Sequence, residues 1–396
     1  MSPDHRRKPY HFVSLILPCY NERESVALCC RSAKAGLKEL QKAGYTTELI
    51  VVDNNSSDGS KTLAKKTGAR VLTQKKQGYG AALQKGFAAA YGDILIMADA
   101  DSSYPLSKLL PFVRYIEKGY DIVLGSRFLG RINKKSMPFF NRVIGNPMLT
   151  GLLNIFYGTH VSDSQTGMRA ITKSAYMLLR LTSPGMEFAS DMLIKAIHHR
   201  MRIAEIPIAY YPRIGTSKLS PVSDAWRHVR EMIIWFPFSL YLIPGVVLVL
   251  LGLGGTAVLV SGPKYIGNGV VVDTHTMVAG IIAAILGTQL ILGGIFSRLY
   301  MVRTLGISGE PLTAWVIRIV SFERLFCFGA FLLVVSFLIL SSITVGWIAG
   351  GFSALGKERE FIGALGLAAI GGQLTMSSFL VGMMKKDLPN QTIPKP

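Results

Sequence analysis

Two aspartates, in the run Asp99–Ala100–Asp101 directly after the apolar stretch Ile94–Met97, are the residues of this chain best suited to chemistry. On an extended chain, residues i and i+2 point to the same side, so both carboxylates reach one spot. Hard oxygen ligands of this kind hold Mg2+ or Mn2+, and such an ion neutralises a diphosphate and helps it depart. The pair could equally be a solvated turn; its place at the end of a strand favours the ligand reading. A second polar group ends the apolar run Val51–Val52: Asp53, Asn54, Asn55, Ser56, Ser57, Asp58 and Gly59. Asp53 can accept hydrogen bonds from a base or ribose, while Asp58 and Gly59 suit a turn capping the next helix. A third group, Pro18–Cys19–Tyr20–Asn21–Glu22, ends the first apolar run. Pro18 closes the strand ladder, and Asn21 and Glu22 open a helix whose N-terminus favours anions; capping alone explains them as well. Gly78–Tyr79–Gly80 is not a dinucleotide fingerprint, because Leu83 stands at the third glycine position. It reads as a flexible turn beside a nucleotide. His198 and His199 are consecutive on a helix, so their side chains diverge too far to chelate.

These groups need a scaffold that brings strand ends together. Strands are expected at Phe12–Leu17, Glu48–Val52, Ala69–Leu72, Ile94–Met97 and Ile122–Leu124, with helices at Glu22–Lys42, Gly59–Lys66, Gly80–Tyr91 and Leu106–Glu117. Such alternation implies a parallel sheet covered by helices on both faces, and ligands then bind beyond the carboxyl ends of the strands.

Beyond about Glu231 the chain changes character. Hydrophobic residues make up 49% of the whole, and four stretches, about 233–260, 276–297, 325–349 and 361–384, are long enough to cross a bilayer. Arg298, Arg303, Arg318 and Arg324 follow the second stretch, and Lys385, Lys386 and Lys395 follow the fourth. By the positive-inside rule, both ends of the membrane part then face the cytosol. Pro221–Trp235 places Trp226, Val229, Ile233 and Phe236 near one helical face, as an amphipathic helix on a membrane surface would. The expected division is a cytosolic domain over 1–219, an interface helix over 220–236 and a four-span domain over 237–396. The net charge is +19, and 33 basic against 18 acidic residues fall in 1–231. That excess suits phosphorylated substrates and an anionic membrane. Nucleic acid is not expected, since no RNA-recognition motif or zinc-finger spacing is present. The four cysteines, Cys19, Cys29, Cys30 and Cys327, form no CxxC pair and fit a reducing compartment. No signal peptide is expected, because the charged start is followed only by a short apolar run ended by Pro18.

Taken in order, LPCYNE, VVDNNSSDGS, GYGAALQKG, DAD, GSRF, SDSQTGMRA, FASDMLIKA, EIPI and RIGTSKL resemble the family 2 glycosyltransferases, in particular the group of dolichol-phosphate mannosyltransferases and polyprenyl-phosphate glucosyltransferases. The resemblance covers nearly all of residues 11–220. It implies an α/β fold of the GT-A, Rossmann-like type, followed by an α-helical transmembrane domain. It further implies that Pro18, Tyr20, Glu22 and Asp53 contact the nucleoside and that Asp99 and Asp101 hold the divalent cation and the diphosphate. Arg127 and Arg142 would face the phosphates, and Arg213, Ser217 and Lys218 would lie beside a lipid phosphate. Asp191 matches the position where relatives with alcohol acceptors place their base; here its expected part is to orient Arg or Lys side chains. Apart from the resemblance, the bland reading of Arg169 is a pairing with Asp163 across the Gln165–Gly167 turn.

The expected reaction is inverting transfer of one hexose from a nucleotide-diphosphate sugar, GDP-mannose or UDP-glucose, to a polyprenyl phosphate. A processive polysaccharide synthase is the rival enzyme reading. Such synthases carry a Gln-x-x-Arg-Trp motif, where this chain has Asp224–Ala225–Trp226–Arg227. A non-catalytic membrane scaffold is the other rival, and the intact Asp53, Asp99 and Asp101 count against it. Oligomeric state is left open, a homo-oligomer included.

Overall fold

The structure, a computed structural model, describes residues 10–216, 221–234, 238–267, 270–305, 315–316, 318–352 and 355–386. The chain divides into two compact units, Met1–Trp235 and Phe236–Pro396.

The first unit is built on a sheet of seven strands: β1 (Phe12–Cys19), β2 (Thr46–Asp53), β3 (Arg70–Thr73), β4 (Ile94–Met97), β5 (Ile122–Ile132), β6 (Arg169–Thr172) and β7 (Ile203–Tyr210). Their order is β3-β2-β1-β4-β6-β5-β7. The pairings of β1 with β2 and β4, of β2 with β3, and of β5 with β7 are parallel. The sheet is not parallel throughout, however. β6 enters between β4 and β5 and runs antiparallel to both. The chain leaves β1 toward β2 and β3, then returns to β4 on the other side of β1. A crevice therefore opens beyond the carboxyl ends of β1 and β4, where the order reverses.

Helices α1 (Val26–Lys42), α2 (Ser60–Lys66), α3 (Tyr79–Ala89), α4 (Leu110–Glu117), α5 (Asn146–Tyr157), α6 (Lys173–Leu179), α7 (Phe188–His198) and α8 (Pro221–Ile234) complete the unit. α1 shows why they pack as they do. Val26, Cys29, Cys30, Ala33, Leu37 and Leu40 recur at helical spacing and are buried, and they join the inward residues Val13, Leu15 and Leu17 of β1 in one core. Burying the first two cysteine thiols pushes Cys19 and Cys29 up to about 12, so neither is a nucleophile. Ahead of α5, one π-helical turn over Asn141–Gly145 leaves Val143 and Ile144 exposed, beside the exposed Phe139, Phe140 and Met148.

In the second unit, α9 (Phe238–Leu259), α10 (Thr274–Leu305), α11 (Phe322–Ala349) and α12 (Glu358–Lys386) are each long and apolar enough to cross a membrane. A short hairpin, β8 (Lys264–Ile266) with β9 (Val270–Val272), occupies the connection between α9 and α10. Glycines set the helix contacts. A Cβ on Gly252 of α9 would stand 2.2 Å from the Gly280 carbonyl oxygen of α10, and one on Gly371 of α12 would stand 2.9 Å from that of Gly329 on α11. Small residues let membrane helices approach this closely, which is where van der Waals packing gains most.

Candidate active site

The crevice is a cavity of about 400 Å³, within the usual range for a small-ligand site. Its floor is the pair predicted from spacing. Asp101 is buried, and its Oδ1 accepts from the Ser103 amide at 3.0 Å and the Ser103 hydroxyl at 2.5 Å. Ser102 takes a left-handed conformation to make this turn, with φ of 68°, and Cys29 Sγ accepts from its amide. Asp99 is half-buried and accepts from the Tyr79 hydroxyl at 2.9 Å. Burial, and then the negative charge of Asp101, push the Asp99 carboxyl up to about 7. Gly167 leaves room for this carboxylate, since a Cβ there would lie 2.6 Å from Oδ2.

Cations close the other side. Arg213 reaches Glu22 at 3.0 Å and Asp101 at 3.8 Å, and the following amide, Ile214 N–H, donates to the Asp101 carbonyl. The segment after β7 is thereby tied to the loop after β4. Arg127 lines the cavity from β5, and Asp163 grips it through Nε at 2.7 Å and a second guanidinium nitrogen at 2.8 Å. Glu205 accepts from the amides of Ser162 and Asp163 and so fixes that grip.

Most of the expected site residues meet here: Pro18, Tyr20, Glu22, Asp99, Asp101, Arg127 and Arg213 all line the cavity. Asp53 does not. It is 2% exposed and receives the Ser56 amide at 3.4 Å, while its neighbour Asn54 faces the cavity. Arg142 is not brought in either; it is exposed on the π-helical turn, outside the lining. Asp191 is also absent from the lining. It is fully buried in α7 and forms an ion pair with Lys195 at 3.0 Å, so among the described residues it orients a lysine and touches no open space. Ser217 and Lys218 lie outside the described residues. Arg169 does not pair with Asp163. Its guanidinium is wholly buried and donates to the carbonyls of Ser164, Thr166 and Ala189, which joins two pieces of the cavity wall. The Gly78–Gly80 segment is not a loose turn: the amides of Gly80 and Ala81 donate to the carbonyls of Gly185 and Pro184. A Cβ on Gly78 or Gly80 would come within 2.2 Å of the carbonyl oxygens of Pro184 or Ser183.

The sequence reading missed the wall formed by Gly185, Met186, Ala189, Arg227 and His228. Arg227 and His228 come from α8, which was read only as a membrane-surface element. The single available signal was a histidine on the face of α8 opposite its exposed apolar residues.

A mixed sheet with paired carboxylates beyond β4 and arginines facing them is a site of the kind a glycosyltransferase carries. Comparison with known proteins gives the family: the glycosyl transferase family 2 model matches residues 14–179, and the glycosyltransferase family 2 C-terminal transmembrane region matches residues 295–385. A low-salt glycan biosynthesis hexosyltransferase of Haloferax volcanii, Agl6, is 34% identical over 94% of this chain and 89% of its own. The chain belongs to glycosyltransferase family 2. A dolichyl-phosphate hexose transferase of the same organism is 31% identical over 53% of this chain and 87% of its own. Among solved structures, a glucosyl-3-phosphoglycerate synthase from Mycobacterium tuberculosis, in complex with Mn2+ and uridine diphosphate, is 23% identical over 57% of this chain and 78% of its own, with a TM-score of 0.43.

Proposed function

We propose that this glycosyltransferase moves a single hexose, with inversion, from a nucleotide-diphosphate sugar to a polyprenyl phosphate at the cytosolic face of a membrane. The observation that carries the reading is the meeting of Asp99 and Asp101 with Arg127 and Arg213 in one cavity, since the reaction must bring two anions together. The names of two relatives, a glycan biosynthesis hexosyltransferase and a dolichyl-phosphate hexose transferase, support it.

Asp99 and Asp101 fit a divalent cation. Both donors are hard oxygens, and burial, with the negative charge of Asp101, raises the proton affinity of Asp99. Two carboxylates leave most coordination positions to diphosphate oxygens and water, the usual arrangement for Mg2+. When bound, the ion supplies positive charge to the departing diphosphate. A phosphate monoester has a second pKa of about 6 and is largely dianionic at neutral pH. Its oxygen attacks the anomeric carbon while the bond to the nucleoside diphosphate breaks on the opposite face, and no strong base is needed. Arg127, held rigid by Asp163, places a fixed charge where the phosphates crowd.

Arg213 serves the acceptor phosphate in this reading. Losing one charge-assisted hydrogen bond costs about 2 kcal/mol, so Arg213→Ala weakens polyprenyl phosphate binding roughly thirtyfold and leaves nucleotide-sugar affinity nearly unchanged. Acceptor and donor titrations in neutral detergent at two salt concentrations check this, and the reverse pattern contradicts it. Donor-dependent labelling of polyprenyl phosphate tests the function itself. A labelled product that remains a free glycan would favour the polymerase reading.

The cytosolic orientation rests on the arginine and lysine distribution. The exposed Trp226, Ile233 and Ile234 of α8 support contact with a lipid surface, as do Phe139 and Phe140 beside Lys134 and Lys135; Phe236 lies outside the described residues. With the exposed Cys327 removed, a cysteine at Lys264 on β8 is expected to react with an impermeant reagent from outside. One at Lys386 reacts only after permeabilisation. Inverted labelling would reverse the topology.

A further inference from the structure

The wall that α7 and α8 present to the cavity has a chemistry unlike the rest of it. His228 projects from α8 into the first unit and lines the cavity while only 6% exposed. Its Nδ1 shares a 2.8 Å hydrogen bond with the hydroxyl of Ser190, a fully buried residue of α7. That is its one hydrogen bond among the described residues, so Nε2 is left for a ligand. Behind the wall stands Glu187. One carboxylate oxygen accepts from the Gly185 amide at 2.9 Å, and the other, Oε2, is buried with no hydrogen-bond partner. Oε2 fills the space a side chain at Gly185 would need, 2.4 Å from a Cβ built there. None of Glu187, Ser190 and His228 falls within the matched segment 14–179.

This arrangement suits a neutral ligand rich in hydroxyl groups. Burial pushes the imidazole down to about 4, against the pull of the Glu187 carboxylate toward protonation, so the ring is uncharged at neutral pH. A neutral ring, set between the Glu187 carboxylate and the Arg169 guanidinium, brings no charge of its own to attract a phosphate and bonds well to a hydroxyl, as donor or acceptor according to its tautomer. The phosphate-attracting groups, Arg127 and Arg213, accompany Asp99 and Asp101 instead. Arg227 also lines the cavity, but consecutive helical residues point about 100° apart, so the two side chains address different parts of a ligand.

We propose that His228 reads the transferred hexose, its Nε2 hydrogen-bonding one sugar hydroxyl while Ser190 fixes the ring. This rests on the reading that the cavity holds a nucleotide sugar with its diphosphate at the Asp99–Asp101 end. The membrane-proximal helix α8 would then carry sugar specificity, as well as any role at the lipid surface.

The test compares kcat/KM for the better of GDP-mannose and UDP-glucose with that for each of its monodeoxy analogues. Wild-type enzyme is measured first; if it transfers hexose from neither donor, the underlying reading fails before any variant is considered. Wild type is expected to lose about tenfold to a hundredfold on one analogue, the cost of leaving one buried hydrogen-bonding group without its partner. In His228→Phe, that penalty falls below about threefold, because the partner of the missing hydroxyl is gone. Binding of GDP or UDP alone stays unchanged. Ser190→Ala keeps the ring but frees it, and is expected to lose part of the same discrimination; it also serves if the phenylalanine variant does not fold. Discrimination retained at every hydroxyl in the folded variants overturns the proposal. So does a variant that loses affinity for polyprenyl phosphate or for the nucleoside diphosphate in place of sugar discrimination.

Discussion

Asp101→Asn lowers sugar transfer by about a thousandfold while the protein stays folded. The asparagine oxygen can still accept the two hydrogen bonds from Ser103 that organise the turn, so the loop keeps its shape. What disappears is the negative charge facing Arg213 at 3.8 Å and, with it, half of the pair that would hold a divalent cation. Such an ion is worth several kcal/mol of charge stabilisation at the departing diphosphate, and about 1.4 kcal/mol corresponds to tenfold in rate. Initial rates with Mg2+, with Mn2+ and with chelator, beside a thermal melt of the variant, check both halves of this expectation. Wild-type rates in the variant or in chelator would remove the metal from the reaction.

Asp191→Asn acts on stability rather than chemistry. Asp191 and Lys195 are four residues apart on α7, 0% and 1% exposed, with charges 3.0 Å apart. Lys195 also donates to the Arg180 carbonyl, so the pair anchors the end of α6 to α7. Removing one member leaves an uncompensated buried charge, which costs about 3–5 kcal/mol. Replacing both, as Asp191→Leu with Lys195→Met, is expected to recover most of that loss. Denaturation of the single and double variants measures the effect, and the rate per folded molecule should stay within about threefold of wild type. A folded Asp191→Asn enzyme more impaired than Asp101→Asn would instead make Asp191 a base.

The contrast between these two aspartates shows what local sequence carries. β1, β2 and β4 were legible because each is an apolar run with a polar or proline residue at its carboxyl end: Pro18, Asp53 and Asp99, of which Pro18 and Asp99 line the cavity. The paired carboxylates follow from strand geometry alone. β6 was not legible. It has four residues, begins with Arg169, and becomes a strand through antiparallel pairing with β4 and β5, partners far away in sequence. Arg127, Asp163 and Arg169 make the same point. Asp163 had its nearest cationic neighbour in sequence at Arg169, but the fold gave it Arg127 from β5 and gave Arg169 three carbonyl groups. Polar partners of that kind are chosen by tertiary geometry, which leaves no periodic trace. His228 is the extreme case, since its surroundings exist only once α7 and α8 pack together.

The helices of the second unit differ in a way that bears on how the protein is made. α10 and α12 are the more buried pair, and α12 is the least apolar of the four, while α9 and α11 are more apolar and more open. Each weaker segment is preceded by a greasier one and meets it through glycine contacts, Gly252 with Gly280 and Gly329 with Gly371. A segment rich in glycine, serine and threonine partitions into lipid less readily than one rich in leucine and phenylalanine. On these hydropathies α9 and α11 would enter a bilayer on their own apolarity as the chain emerges from the ribosome, and α10 and α12 would follow as the second limb of a hairpin whose first limb is anchored. The four apolar helices would thus insert as two pairs, α9 with α10 and α11 with α12, each held by its own glycine contact.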